Sequence, residues 1–104
     1  YPGAVPTQVG SVFGYVQAKV TKEILQKACD SKDLTRAGVL AAMHQISGLD
    51  TGGLIAGTLD YTKAGQPPSR SVYISQVDAT APGGLKVVEG PIEAGPAKAY
   101  QAGP

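Results

Sequence analysis

Ser47, Ser69, Ser71 and Ser75, with the one imidazole, His44, are the residues to weigh for nucleophilic catalysis in this chain. A serine becomes a nucleophile only beside a base that a third group orients, and the only histidine, His44, falls on a helix face, so none of these serines has a credible base. Asp30 and Asp33 could form an acid/base pair, but the run Asp30-Ser31-Lys32-Asp33 reads as a solvated turn, not as two carboxyls held in a shielded cleft. Asp50-Thr51-Gly52-Gly53 looks like the Asp-Thr-Gly of aspartic proteases. That motif lies between apolar strands and must meet a second copy, whereas here it follows a helix end. A metal site wants several His, Cys or carboxylate groups at matched spacing, and the chain holds one His and one Cys. Its glycines form neither GxxxxGK[ST] nor a strand-borne GxGxxG, so no phosphate cradle is expected. We therefore expect no enzyme, no metal and no cofactor.

The elements that would carry binding groups begin with residues 8–29. Val9, Val12, Phe13, Val16, Val20, Ile24 and Ala28 recur at steps of three and four, which gathers them on one face of an α-helix. Thr7 is placed to cap it. Gly10 and Gly14 each cost up to about 1 kcal/mol there relative to Ala, which implies close approach of a ligand or a neighbouring backbone. A second helix is expected over 36–47, capped by Thr35, stapled by Leu34 and Val39, buried through Val39, Leu40, Met43 and Ile46, and closed by Gly48. Strands follow at 58–62 and 70–77, expected to pair with each other as a hairpin that needs a larger sheet to join.

Composition narrows the function classes. The chain has 104 residues, 14 of them Gly and 8 Pro, and a formal net charge of +1. Without a basic block it lacks the footprint of a nucleic-acid binder, so no nucleic-acid partner is expected. No run of about 18 apolar residues is present to span a bilayer. Cys29 is the single cysteine; it reads as a small buried hydrophobe near a helix end or as half of a bridge to a missing segment. Residues 79–104 are more than half Ala, Gly and Pro, and a short strand over 85–89 is the most order that such apolar mass promises. The chain thus divides into 1–78, which carries the elements, and a tail over 79–104. Opening on Tyr1-Pro2 without Met, it is expected to be a processed or partial product.

FGYVQAKVTKEILQKAC, DLTRAGVLAAMHQI, LDTGGL, GTLDYTKAGQ and SVYISQV, in that order, resemble the C-terminal part of the type I periplasmic-binding-protein family. Within it they are most similar to the branched-chain-amino-acid-binding receptors of ABC transporters. The match rests on Gly14-Tyr15, Leu34-Thr35-Arg36, the DTGG turn, the spacing of Gly57, Tyr61 and Gly65, and Val72 to Ile74. The resemblance implies an α/β fold, one fragment of a bilobal receptor: two helices on the sheet of one lobe, then a hairpin at the hinge and an irregular tail. It also implies closure on an amino-acid-like small-molecule solute, handed to an ABC permease outside the cytoplasm, at the periplasm or cell surface, from a receptor lipid-anchored through an absent N-terminus. By this resemblance Val9, Gly10 and Ser11 face the ligand cleft, and Gly10 leaves room there for a bulkier solute or a backbone contact. The groups that would grip an amino acid's ammonium and carboxylate fall outside this sequence. The helix stripe would be covered by the missing remainder of the receptor or by self-association. A sensor ectodomain of the same fold and a small protein-interaction module are the competing readings.

Overall fold

The computed structural model describes residues 9–102, so the expected cap at Thr7 lies outside the described residues. Helix α1 spans Val9–Asp30, about 33 Å at 1.5 Å per residue. Its stripe is turned inward: Val16 and Val20 are buried, and Val12 and Ile24 pack beside them against Leu49, Ile55, Leu59 and Tyr61. The residues that cover the middle of α1 therefore come from this chain itself. That corrects the expectation that the whole stripe awaits a sheet supplied from elsewhere. Phe13, at the margin of the stripe, stays exposed. Cys29, expected to be buried, is exposed as well, because Ala28 takes the inward position beside it.

Helix α1 ends in a backbone device that needs a left-handed residue. Lys32 has φ 56°, its N–H donates to the Cys29 carbonyl at 2.9 Å, and the Asp33 N–H reaches back to Ala28 O at 3.0 Å. These two bonds satisfy carbonyls that the helix end would leave orphaned. Asp33 then starts the next element: its Oδ1 accepts from the Thr35 N–H at 3.0 Å and the Thr35 hydroxyl at 2.6 Å, while Thr35 Oγ1 accepts from the Gly38 N–H at 3.1 Å. Helix α2 runs Arg36–Met43. A Cβ on Gly38 would strike the side chain and carbonyl of Asp33, so the turn is packed too closely for any side chain at that position.

Helix α2 stops four residues short of the expected 47. His44 Nδ1 donates to the Tyr61 carbonyl at 2.8 Å, and the Ile46 carbonyl accepts from the Tyr61 N–H at 2.9 Å. Pairing with the chain beyond the next strands thus pulls these residues out of the helix. Gly48 does adopt a positive φ of 66°, but in the loop that follows and not as the helix cap. The inward face is Gly38, Ala42 and Ile46: of the expected four Ile46 is buried, Val39 and Met43 are half-buried and Leu40 is exposed, as is Leu34.

The pairing of strands also differs from expectation. β1, Leu49–Asp50, pairs antiparallel with β2, Thr58–Leu59, in the register Leu49 to Leu59. β3, Val72–Val77, pairs antiparallel with β4, Leu85–Ile92. The expected hairpin of 58–62 with 70–77 is not formed. Asp60 ends β2 early by accepting from the Thr62 N–H and hydroxyl. Asp78 does the same for Thr80 after β3, and Gly83 and Gly84, with φ 80° and 75°, turn the chain back on itself. A short connection reverses β3 onto β4 at less entropic cost than the long loop would need. Residues 85–102, expected to be an irregular tail beyond a short strand, therefore contain β4 and a short helix α3, Gly95–Ala99. Burial is scarce there, and the backbone ladder supplies the order.

The result is an α/β chain of helices and small antiparallel sheets, measuring 49 × 43 × 19 Å with a radius of gyration of 16.4 Å. A compact chain of this length would have about 13 Å. Two units account for the spread: the helices with β1 and β2, and the β3–β4 ribbon.

Candidate functional site

The residues that the sequence places at a ligand cleft open helix α1. Val9 is its first residue, and Gly10 and Ser11 are exposed in its first turn. A Cβ built on Gly10 or on Gly14 would meet nothing within 4 Å. The close approach expected at these glycines is therefore not made by any described part of this chain. Neither Gly10 nor Ser11 lines the cleft found elsewhere among the described residues.

That cleft, about 550 Å³, sits where the two units join and is lined among others by Asp60, Lys63, Arg70, Glu93 and Lys98. The covalent link is residues 60–71. The Asp60 N–H closes the link on itself by donating to Pro68 O at 2.8 Å, and Ser69 Oγ ties it to the helical unit by donating to Ala56 O at 3.1 Å. Ser71 Oγ would stand 3.1 Å from a Cβ on Gly57, whose φ is 71°, so a glycine is needed there for both space and backbone shape. Beyond Ser71 the Tyr73 hydroxyl donates to Gly53 O at 3.2 Å. Arg70 carries the densest set of contacts. One guanidinium nitrogen donates to the carbonyls of Ala97 and Lys98 at 2.9 and 3.0 Å, and the other donates to Gln66 Oε1 at 3.0 Å.

Asp60, Ser69 and Arg70 at the junction are committed to holding the chain. Ser69 donates to a carbonyl, and His44 faces Tyr61 rather than any serine. Asp60 sits below the ordinary carboxylate pKa because the Thr62 hydroxyl and N–H stabilise its charge, which makes it a weak base. Asp33 and Asp78 are lowered in the same way by Thr35 and Thr80. Asp30 accepts from Gln26 at 2.9 Å, separately from Asp33. In the DTGG segment Asp50 Oδ1 accepts from the Gly52 N–H at 2.8 Å, and buried Thr51 accepts from the Ile55 N–H at 2.9 Å; the motif is a turn. No group of three or more His, Cys, Asp or Glu is gathered among the described residues, and no described helix is long and apolar enough to cross a membrane.

Two features of the junction escape sequence reasoning. The Asp-x-Thr pattern at 33, 60 and 78 does carry a signal, since Asp and Thr side chains favour such self-bonded turns. Arg70 falls at the start of an expected strand, and its acceptors are mostly backbone carbonyls, which carry no sequence signature.

A helical unit, a short link and a two-stranded ribbon in this order match a piece of the α/β fold of periplasmic binding proteins, the substrate-binding class of ABC transporters. The particular match is a fatty acid ABC transporter substrate-binding protein from Thermomonospora curvata. This chain is 36% identical to it with a TM-score of 0.74, over 90% of this chain and 24% of that one. The chain thus spans about a quarter of the length of that structure. No family model and no curated protein matches. The likeness supports the periplasmic-binding-protein family broadly and does not extend to the branched-chain-amino-acid subtype.

Proposed function

We propose that this sequence is part of an extracytoplasmic substrate-binding protein that delivers a small organic solute to an ABC permease. It would bind by bending at residues 60–71, with no covalent step. The observation that carries this reading is 36% identity at a TM-score of 0.74 to a substrate-binding protein over nearly the whole chain. The join fits it, because two units that each hold their own hydrogen bonds meet at one short link. The ribbon fits too, since its apolar side chains would be covered by the rest of such a receptor.

The sequence resemblance favours an amino-acid-like solute, whereas the matched structure is named for a fatty acid. A carboxylate is common to both, so the proposed ligand is a small carboxylic acid. Gly10 and Ser11 are the positions proposed to meet it, supported by their exposure and by the open space beyond Gly10. A lipid anchor upstream of this sequence remains part of the proposal.

Titration of the longest natural protein carrying this sequence with leucine, glutamate, octanoate and palmitate, read by thermal shift, tests it. A rise in Tm of several degrees with one acid and none with its methyl ester is expected. Absence of any shift across amino acids and fatty acids at millimolar concentration would refute the reading.

A further inference from the structure

Residues 93–102 leave the ribbon and return to the link. Beyond Ile92, which pairs with Val72, the hydrogen bonds that reach out of this segment among the described residues go to two side chains. Ala97 and Lys98 carbonyls accept from Arg70 at 2.9 and 3.0 Å, and the Ala102 N–H donates to Gln66 Oε1 at 3.3 Å. Gln66 Oε1 also accepts from Arg70 at 3.0 Å, so Gln66 and Arg70 hold the segment as one cluster. The remaining bonds of the segment, Lys98 to Ala94 and Tyr100 to Pro96, are internal to α3. A helix of five residues does not stand alone, and most of its neighbours are exposed. Arg70 holds this segment.

The neighbours of Gln66 and Arg70 are tied the other way. Pro68 O accepts from Asp60 at the start of the link, and Ser69 donates to Ala56 of the helical unit. The ribbon is therefore held to the helical unit by the chain at Ser71, by the Tyr73 hydroxyl on Gly53 O and, by way of Gln66 and Arg70 of the link, by the returning segment. The chain with the single Tyr73 contact permits a pivot, whereas the added grip of the returning segment on Arg70 and Gln66 fixes an angle.

We propose that residues 93–102 are a brace, fastened by Arg70, that sets the angle between the helical unit and the β3–β4 ribbon and frees it when released. The proposal rests on residues 60–71 being the place where the two units move. Arg suits the task because its planar fork reaches three acceptors at once, which a lysine ammonium on a flexible stem does not. The fastening contacts are few and near the surface, so the braced and released forms can both be populated.

The test is a distance distribution between spin labels at Lys22→Cys on α1 and Lys86→Cys on β4, both exposed positions, in the full chain with Cys29→Ser. Arg70→Ala is expected to widen the distribution at least twofold, with Arg70→Lys intermediate. Hydrogen exchange at Lys98, Tyr100 and Ala102 should quicken at least tenfold while that of α1 is unchanged. If Arg70→Ala unfolds the chain, Gln66→Ala reads the same brace from its other anchor, and widening is again expected. An unchanged distribution in a folded variant overturns the brace. It would leave the solute-binding reading untouched, because the acid titrations test that separately.

Discussion

The helical unit, residues 9–59, and the ribbon, residues 72–92, differ in what closes them. In the helical unit the apolar residues of α1 find partners from the same chain, so that Val16 is 7% and Leu59 5% exposed. In the ribbon, Val77 and Leu85 face each other across the ladder and remain 81% and 59% exposed, with Val87 at 55%. A backbone ladder holds most of the second unit, with few side-chain ties such as Tyr73 to Gly53 O, and an isolated two-stranded hairpin is marginal in water. Packing therefore stabilises one unit within this chain, while the other presents apolar side chains for which the described residues offer no cover.

Substitutions should separate the two units by magnitude. Leu59→Ala removes a buried side chain from the centre of the helical unit and is expected to cost about 2–5 kcal/mol in urea denaturation followed by helical circular dichroism. Val77→Ala in the ribbon is expected to fall within about 0.5 kcal/mol; comparable losses at both positions would erase the distinction. Gly38→Ala should cost about 1–3 kcal/mol, because the added methyl meets the Asp33 carbonyl and side chain in a packed turn.

Two smaller effects run the opposite way. Gly14→Ala faces open space and should stabilise α1 by up to about 1 kcal/mol. If it destabilises instead, a close neighbour of that glycine has been missed. Lys32→Gly relieves a left-handed backbone at φ 56° and should stabilise by about 1 kcal/mol, read as a rise in urea midpoint at unchanged slope.

The smallest expected effect is on pH. Asp33, Asp60 and Asp78 are held below their ordinary pKa by threonine hydroxyls and N–H groups. A carboxylate with a depressed folded pKa contributes stability that is fully present above the unfolded value, about 3.9, and lost as pH falls through the folded value. Stability should therefore be flat from neutrality to about pH 5 with respect to these groups and decline below about pH 4. Thr35→Val, Thr62→Val and Thr80→Val together should flatten that acid limb.

Helix α1 is legible in the sequence because its stripe repeats locally at steps of three and four, and the ends of α2 are less so. Thr35 caps α2 as its type implies, but the far end is set by His44 and Ile46 reaching Tyr61, a contact between segments far apart in sequence. Strand pairing escapes the sequence for the same reason: β-propensity marks a strand and does not name its partner. Residues 85–102 look unable to order by burial, and they are indeed mostly exposed; ladder bonds and one arginine order them instead. Val9, Gly10 and Ser11 come from family resemblance. The hold of Arg70 at the junction has no signature in the sequence because its grip is mostly on backbone carbonyls.

Residue-resolved hydrogen exchange of the 104-residue chain compares the two units most directly. Amides from Val16 to Ile24 in α1 are expected to exchange at least a hundredfold more slowly than those of Ile74, Gln76 and Val87 in the ribbon. Equal protection in both, with ribbon amides as slow as those over the α1 core, would contradict the picture of one self-covered unit joined to one that is not.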